Sequence, residues 1–181
     1  MASGPEIILR TLDGFLSGPG EVRLFGGAAL VLGYGRRRAT EDADLLMDDR
    51  ECQALIDGAG FAEAVDSTNK ELEPQGLYLS HIFGPEQQVL SPGWRAACRR
   101  IDLIGLKQLG VWCLGPIDLV LTKMGRGDAD DMADVRHLFE TGAVGSSELR
   151  IALAAAIVPA EYAELFALST PKLVAMMNEF D

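Results

Sequence analysis

Two glycines set between an apolar strand and an apolar helix constrain this chain more than any other feature. Leu24-Phe25 runs into Gly26-Gly27, and Ala28 to Leu32 continue as an apolar helix that Gly33 and Gly35 bring to an end. A strand that passes into a helix through paired glycines makes a close αβ junction, because glycine tolerates backbone angles and approaches that other residues resist. Arg36 to Thr40 form a basic connection, and Asp42 to Met47 alternates and then turns apolar, as a strand entering a core does. A strand, a crossover helix and a second strand so close together imply an α/β (α+β) fold with a mixed sheet.

The rest of the chain extends this pattern. Residues 5–17 read as an amphipathic helix on Ile8, Leu12 and Phe15, stopped by Gly18-Pro19-Gly20. Asp48 and Asp49 are placed to cap a helix over 50–57. The pattern then predicts strands over 61–65, 77–83, 99–104 and 109–114, with 66–75 a polar loop. From Pro116 the chain turns helical, over 116–125, 129–140, 147–157 and 160–177. The expected organisation is a sheet-bearing core over residues 1–115 and a helical part over 116–181 packed on it.

Composition removes several function classes. Among 181 residues, 16 Lys and Arg face 27 Asp and Glu, a formal net charge of −11, so broad electrostatic capture of nucleic acid is disfavoured. No apolar run reaches the ~20 residues that a membrane-crossing helix needs, and the N-terminus carries no secretory pattern. The expectation is a cytoplasmic protein with no membrane partner. Cys52, Cys98 and Cys113 lack zinc-finger or disulfide spacing and read as free thiols. Trp94 and Trp112 read as core or rim packing.

The glycine pair and the aspartates also carry chemistry. Residues two apart on a strand point the same way, which sets Asp42 and Asp44 side by side at roughly 6.6 Å of strand rise. Paired carboxylates suit a magnesium site, because Mg2+ takes hard oxygen ligands and keeps waters. The first N–H groups of a helix that opens on Gly26-Gly27 are free to receive a phosphate, and Arg36, Arg37 and Arg38 can neutralise one. Alone, each element is a turn, a solvated strand edge or a basic loop. Residues 28 to 41 separate the glycine pair from Asp-x-Asp, with Arg38-Ala-Thr40 directly before it, and that order makes the signal compound.

The stretch from Gly26-Gly27 through Arg38-Ala-Thr40-Glu-Asp42-Ala-Asp44 resembles the signature of the nucleotidyltransferase fold of the DNA polymerase beta superfamily. It is most similar to small bacterial proteins related to the AbiEii toxins of type IV toxin–antitoxin systems. A second block, Leu114 to Arg126 with Lys123, then Asp130-Asp131-Met-Ala-Asp134, resembles the helical motif of those proteins, although Asp130 stands where Lys or Arg is common. The resemblance covers about residues 20–140. It implies a nucleotide site at Gly26, Gly27, Arg38, Thr40 and Lys123, metal ligands at Asp42 and Asp44, and catalytic roles for Asp42, Asp44, Lys123 and Asp131 or Asp134. A third carboxylate is expected on a later strand. Asp102 is the choice, and His81 occupies the other strand where an acid might stand, unless it is a partly buried structural histidine. Asp131 and Asp134, three apart, share a helix face and equally suit its positive end as caps, and Lys123 equally reads as a solvated lysine.

Two functions fit these residues. The first is an enzyme that moves a nucleotidyl group from an NTP to an acceptor hydroxyl with Mg2+; the acceptor is an RNA end, a protein or a small molecule. The second is a non-catalytic nucleotide- or protein-binding module on the same fold. The resemblance adds a cognate antitoxin or toxin as a partner, and the terminal Met176-Met177 suggests a homodimer or partner surface.

Overall fold

The computed structural model describes residues 2–181, which form two compact units. The first comprises residues 2–84 with Cys98–Cys113, and the second Pro85–Ala97 with Leu114–Asp181. The class is the expected mixed α/β. The chain enters the second unit for residues 85–97 before returning to complete the sheet.

The first unit opens with α1 (Gly4–Phe15), which Ser3 caps by accepting from the Glu6 N–H and which buries Ile8, Leu9 and Leu12. Strand β1 (Gly20–Phe25) leads directly into α2 (Gly26–Tyr34), and β2 (Asp42–Leu46) follows. Helix α3 (Asp49–Ala59) begins with the expected cap. Asp48 accepts from the Glu51 N–H at 2.8 Å while Glu51 accepts from the Asp48 N–H at 3.0 Å.

Residues 61–65, expected as a strand, and 66–75, expected as a loop, are mostly helix α4 (Phe61–Leu72), closed by a turn of 3-10 helix at Glu73–Gln75. Phe61, Ala64, Thr68 and Leu72 fall at helical spacing and are all buried. Gly60, at φ +61, ends α3 and starts α4, so one left-handed residue joins two helices where a strand over 61–65 was expected. Strand β3 (Tyr78–Phe83) comes next, and β4 (Arg99–Ile101) and β5 (Leu109–Cys113) complete the sheet. The strand expected over 99–104 thus stops at Ile101.

The sheet order is β3-β2-β1-β5-β4. Strands β1 and β5 run parallel, as do β2 and β3, whereas β1–β2 and β4–β5 are antiparallel. Val22, Leu24, Ala43, Leu45 and Leu79 are buried on one face of the sheet. The alternate residues Asp42 and Asp44 are half-buried on the other face. Edge strand β3 is blocked by a side chain: Asn69 of α4 accepts from the Leu79 N–H at 2.7 Å and donates to the Leu79 carbonyl at 3.1 Å. One amide thus takes the place of a neighbouring strand. Asp13 of α1 pins the start of β5 by accepting from the N–H groups of Lys107, Gln108 and Leu109 at 2.7–3.0 Å.

In the second unit the short helix α5 (Trp94–Ala97) precedes α6 (Pro116–Met124), α7 (Ala129–Glu140), α8 (Ser146–Ala155) and α9 (Ala163–Glu179). The expected helical run is present, with a turn of 3-10 helix at Ala160–Tyr162 ahead of α9. Residues 85–97 are tied in by a bridge between Leu90 and Ile157 and by Asp118, which accepts from the Ser91 N–H at 2.7 Å. Burial raises the Asp118 carboxyl above its ordinary range, opposed by its bonds from Ser91. Leu119, Leu121, Met124, Leu138, Leu149 and Leu173 form the core, and Met176 and Met177 are buried with them rather than displayed as a partner surface.

All three cysteines are free thiols, with Cys113 buried and Cys52 and Cys98 half-buried. Trp94 is buried and Trp112 half-buried. Among the described residues no helix is long and apolar enough to cross a membrane.

Candidate functional site

The site is assembled where β1 gives way to α2. Gly26 has φ +63, a left-handed conformation that glycine adopts without strain. A Cβ there would stand 3.3 Å from Asp44 Oδ2. A Cβ on Gly27 would stand 3.0 Å from Thr40 Oγ1 and 3.9 Å from Arg38 Nη2. The two glycines therefore let the opening backbone of α2 approach Arg38, Thr40 and Asp44, with no side chain between. Five of the nucleotide and metal residues expected from the sequence thus meet at the start of one helix: Gly26 and Gly27 open it, and Arg38, Thr40 and Asp44 lie against them.

Asp42 and Asp44 are each oriented by a hydroxyl. Thr40 Oγ1 donates to Asp42 Oδ1 at 2.9 Å. Ser80, on β3, donates its hydroxyl to Asp44 Oδ1 in a short bond. Ser80 was not among the expected site residues. Its place follows from pairing: Asp42 is in register with Tyr78 and Ala43 with Leu79, and that register carried one residue further sets Ser80 against Asp44, ahead of the shift that pairs Leu45 with Ile82. Counting by twos from Tyr78 reaches Ser80 once that register is known, but nothing local in Tyr-Leu-Ser-His states the register.

His81 is exposed, its ring centroid 5.5 Å from that of Phe83. It is therefore not the partly buried structural histidine expected. Asp102 lies just past the end of β4 with its side chain 95% exposed, 3.7 Å from Arg100 Nε. Among the described residues, no three His, Cys, Asp or Glu side chains gather where one metal ion could bind them. The carboxylate pair of Asp42 and Asp44 is still a hard-oxygen donor set of the kind Mg2+ accepts with waters completing its shell. Their hydroxyl donors hold one oxygen of each in place, and the Gly26 conformation keeps bulk away from Asp44 Oδ2.

The second motif forms a separate cluster inside the second unit. Lys123 Nζ lies 2.8 Å from Asp131 Oδ1 and 2.8 Å from Asp134 Oδ2. Arg126 grips Asp131 with two further bonds of 2.8 Å. Asp128 caps α7 by accepting from the Asp131 N–H at 2.8 Å. Lys123 is 8% exposed, Asp131 1% and Asp134 0%. Asp131 and Asp134 share a helix face, as their spacing implies, and that face is closed against α6 by a lysine that is buried and not solvated. The cap is Asp128, and an Asp directly before Ala129 is itself a common helix-start signal.

A family model described as a nucleotidyltransferase of unknown function, DUF6036, matches residues 17–150. No curated protein and no solved structure matched the chain.

Proposed function

The chain belongs to the DUF6036 family of nucleotidyltransferases of unknown function, and from that premise we propose that it transfers a nucleotidyl group from an NTP to an acceptor hydroxyl, with Mg2+ held by Asp42 and Asp44. The observation that carries this reading is the meeting of Gly26, Gly27, Arg38 and Thr40 with two hydroxyl-oriented carboxylates in one unit. The N–H groups that open α2 take phosphate oxygens, and Arg38 offsets their charge. Bound Mg2+ supplies Lewis-acid polarisation of the phosphoryl group. The acceptor oxygen forms a bond to the α-phosphorus as the bond to the bridging oxygen of the β-phosphate breaks. Pyrophosphate leaves with that electron pair, and the acceptor proton passes to solvent. Positioning and charge stabilisation carry such a step.

We assign Lys123, Asp131 and Asp134 a structural role, because reaching a triphosphate would cost Lys123 two buried ion pairs. Asp102 takes no part in this scheme. A second reading, a non-catalytic module that binds a nucleotide or a protein, is favoured by one observation: Ser80 faces Asp44 on β3, where a third carboxylate was sought. The resemblance to AbiEii-type toxins supports a further proposal, that the chain is one half of a toxin–antitoxin pair. Growth arrest on expression, relieved by a neighbouring gene product, is the result it requires.

Calorimetry with each NTP, with and without Mg2+, tests the central reading on wild type and on Asp42→Ala/Asp44→Ala. Metal-dependent binding that the double substitution abolishes is expected. Unchanged, metal-independent binding would retire the transferase assignment. Labelled NTPs offered with RNA, protein and small-molecule extracts identify the acceptor.

A further inference from the structure

Strand β3 carries one residue more than β2 at the carboxylates. Ala43 pairs with Leu79 and Leu45 with Ile82, so Asp44 on β2 stands against both Ser80 and His81 on β3. An extra residue of this kind is a β-bulge, a device that re-aims a side chain and is common beside active sites. Regular alternation would turn His81 to the face opposite Ser80. Here both sit on the carboxylate face, as the neighbouring rings establish. Phe25 is the register partner of Asp44, and Leu46, the partner of Phe83, lies two residues beyond Asp44. Phe25 and Phe83 therefore share the face of Asp44, and their rings meet edge to face with centroids 5.3 Å apart. His81 lies two residues before Phe83, its ring centroid 5.5 Å away. Asp44, Phe25, Phe83 and His81 thus lie on one side of the sheet.

The direction of displacement gives His81 a place in the reaction. The sheet order sets β1 and β3 on opposite flanks of β2. Helix α2 opens at the end of β1, so phosphates received by its first N–H groups lie on the β1 flank of the carboxylates. An in-line displacement brings the attacking oxygen from the side opposite the leaving pyrophosphate, and that side is the β3 flank. Two residues stand against Asp44 there. The Ser80 hydroxyl is committed to Asp44 Oδ1. His81 is exposed, and among the described residues its ring nitrogens meet no hydrogen-bond or ion-pair partner. Nor does it join Asp42 and Asp44 in a cluster that could bind one metal ion. It therefore keeps a nitrogen lone pair outside the metal site.

We propose that His81 is the general base for the acceptor hydroxyl, on the flank of Asp44 where a third carboxylate was expected. The proposal rests on the transferase reading. The imidazole accepts the hydrogen bond of the acceptor O–H. It takes the proton as that oxygen bonds to the α-phosphorus and the bond to the bridging oxygen of the β-phosphate breaks. Pyrophosphate carries off the electron pair of the broken bond, and the exposed ring yields the proton to solvent. Histidine is the side chain most often used for such a transfer, which contributes roughly 10²–10⁴-fold.

Proton NMR of the histidine rings reads the geometry without turnover, with His81 assigned by the loss of its signal in His81→Ala. Mn2+ is expected to broaden the His81 signal, and Asp42→Ala/Asp44→Ala to abolish that broadening. A His81 signal left sharp by Mn2+ that binds wild type and not the double variant overturns the placement. The chemistry is read with the four α-labelled NTPs and Mg2+, using water and glycerol as the acceptor probes. His81→Ala is expected to lower transfer by about 10²-fold or more while NTP affinity stays within about twofold. Added imidazole should restore part of the rate in proportion to its concentration, which a packing role does not predict. Transfer by His81→Ala at the wild-type rate, or a loss that imidazole does not relieve, overturns this proposal and leaves the transferase standing. Wild type that transfers to neither probe and binds NTP without metal removes the transferase reading, and the base with it.

Discussion

The two units each hold a pair of aspartates that the sequence marks, and their surroundings differ in kind. Asp42 and Asp44 are half-buried on a strand, and the groups that orient them are the hydroxyls of Thr40 and Ser80. Asp131 and Asp134 are buried on a helix, and an ammonium 2.8 Å from each holds them, with Arg126 adding two bonds to Asp131. A hydroxyl donor directs a carboxylate without itself cancelling the charge. A buried ammonium and the Arg126 guanidinium together balance the two negative charges and make the pair a fastener between α6 and α7. Paired acids are thus poor evidence of chemistry until the donors around them are known.

The largest effect expected from breaking this contrast is on stability. Lys123→Ala strands Asp131 and Asp134 in the interior and should lower the unfolding free energy by about 3–5 kcal/mol, measured by urea denaturation. A loss below about 1 kcal/mol would show that the cluster is not a fastener. Asp42→Asn should do the opposite. Its stability should stay within about 1 kcal/mol of wild type, while labelled nucleotide transfer falls by at least 10²-fold, about 2.7 kcal/mol of transition-state stabilisation. A variant that unfolds without a specific loss of transfer would erase the distinction between the pairs.

Asp13 extends the comparison to a structural carboxylate in the same unit as Asp42. Burial acts to raise its pKa, but bonds from the N–H groups of Lys107, Gln108 and Leu109, with the Lys107 charge, outweigh it and hold the carboxyl below its ordinary range. The unfolded chain therefore binds the proton at higher pH than the folded one. The stabilisation is complete above the ordinary carboxylate range and is lost as pH falls through the lower folded value. Asp13→Asn should cost about 2 kcal/mol near neutrality and flatten the fall in melting temperature between pH 6 and pH 3. An acid slope unchanged by the substitution would assign that slope to other groups.

The smallest effect sharpens the role of Ser80. Ser80→Ala should weaken Mn2+ affinity, followed by electron paramagnetic resonance, by about tenfold, because an outer partner orients the ligand Asp44. Ser80→Asp should strengthen it by placing a third acid against the pair. An affinity indifferent to both substitutions would mean that the hydroxyl does not orient a metal ligand.

Much of the fold could be read directly. The glycine pair announced the junction of β1 and α2, and Asp48 with Glu51 announced the start of α3, because caps and left-handed turns are dictated within a few residues. The misreading at 61–72 has a specific cause. Phe-Ala-Glu-Ala-Val is a short, mostly apolar run that periodicity alone does not assign to strand or helix, whereas the stripe of Phe61, Ala64, Thr68 and Leu72 shows its helical period only over twelve residues, and Gly60 joins two helices where a break was expected. The strand placed over 99–104 ends at Ile101 and leaves Asp102 exposed, so the acid chosen as third ligand has no sheet face to share.

By itself the sequence determined which residues carry charge and which local geometry holds them: two glycines at a strand end, two aspartates on one strand face, and two more on one helix face. Those facts depend on spacing, and spacing is local. Only the tertiary structure decided what each acid meets. Ser80 reaches Asp44 because β3 pairs with β2 with Asp42 opposite Tyr78, and Lys123 reaches Asp131 and Asp134 because α6 packs on α7. A carboxylate's charge is free for chemistry or consumed by structure according to partners brought from elsewhere in the chain, and no periodicity names them.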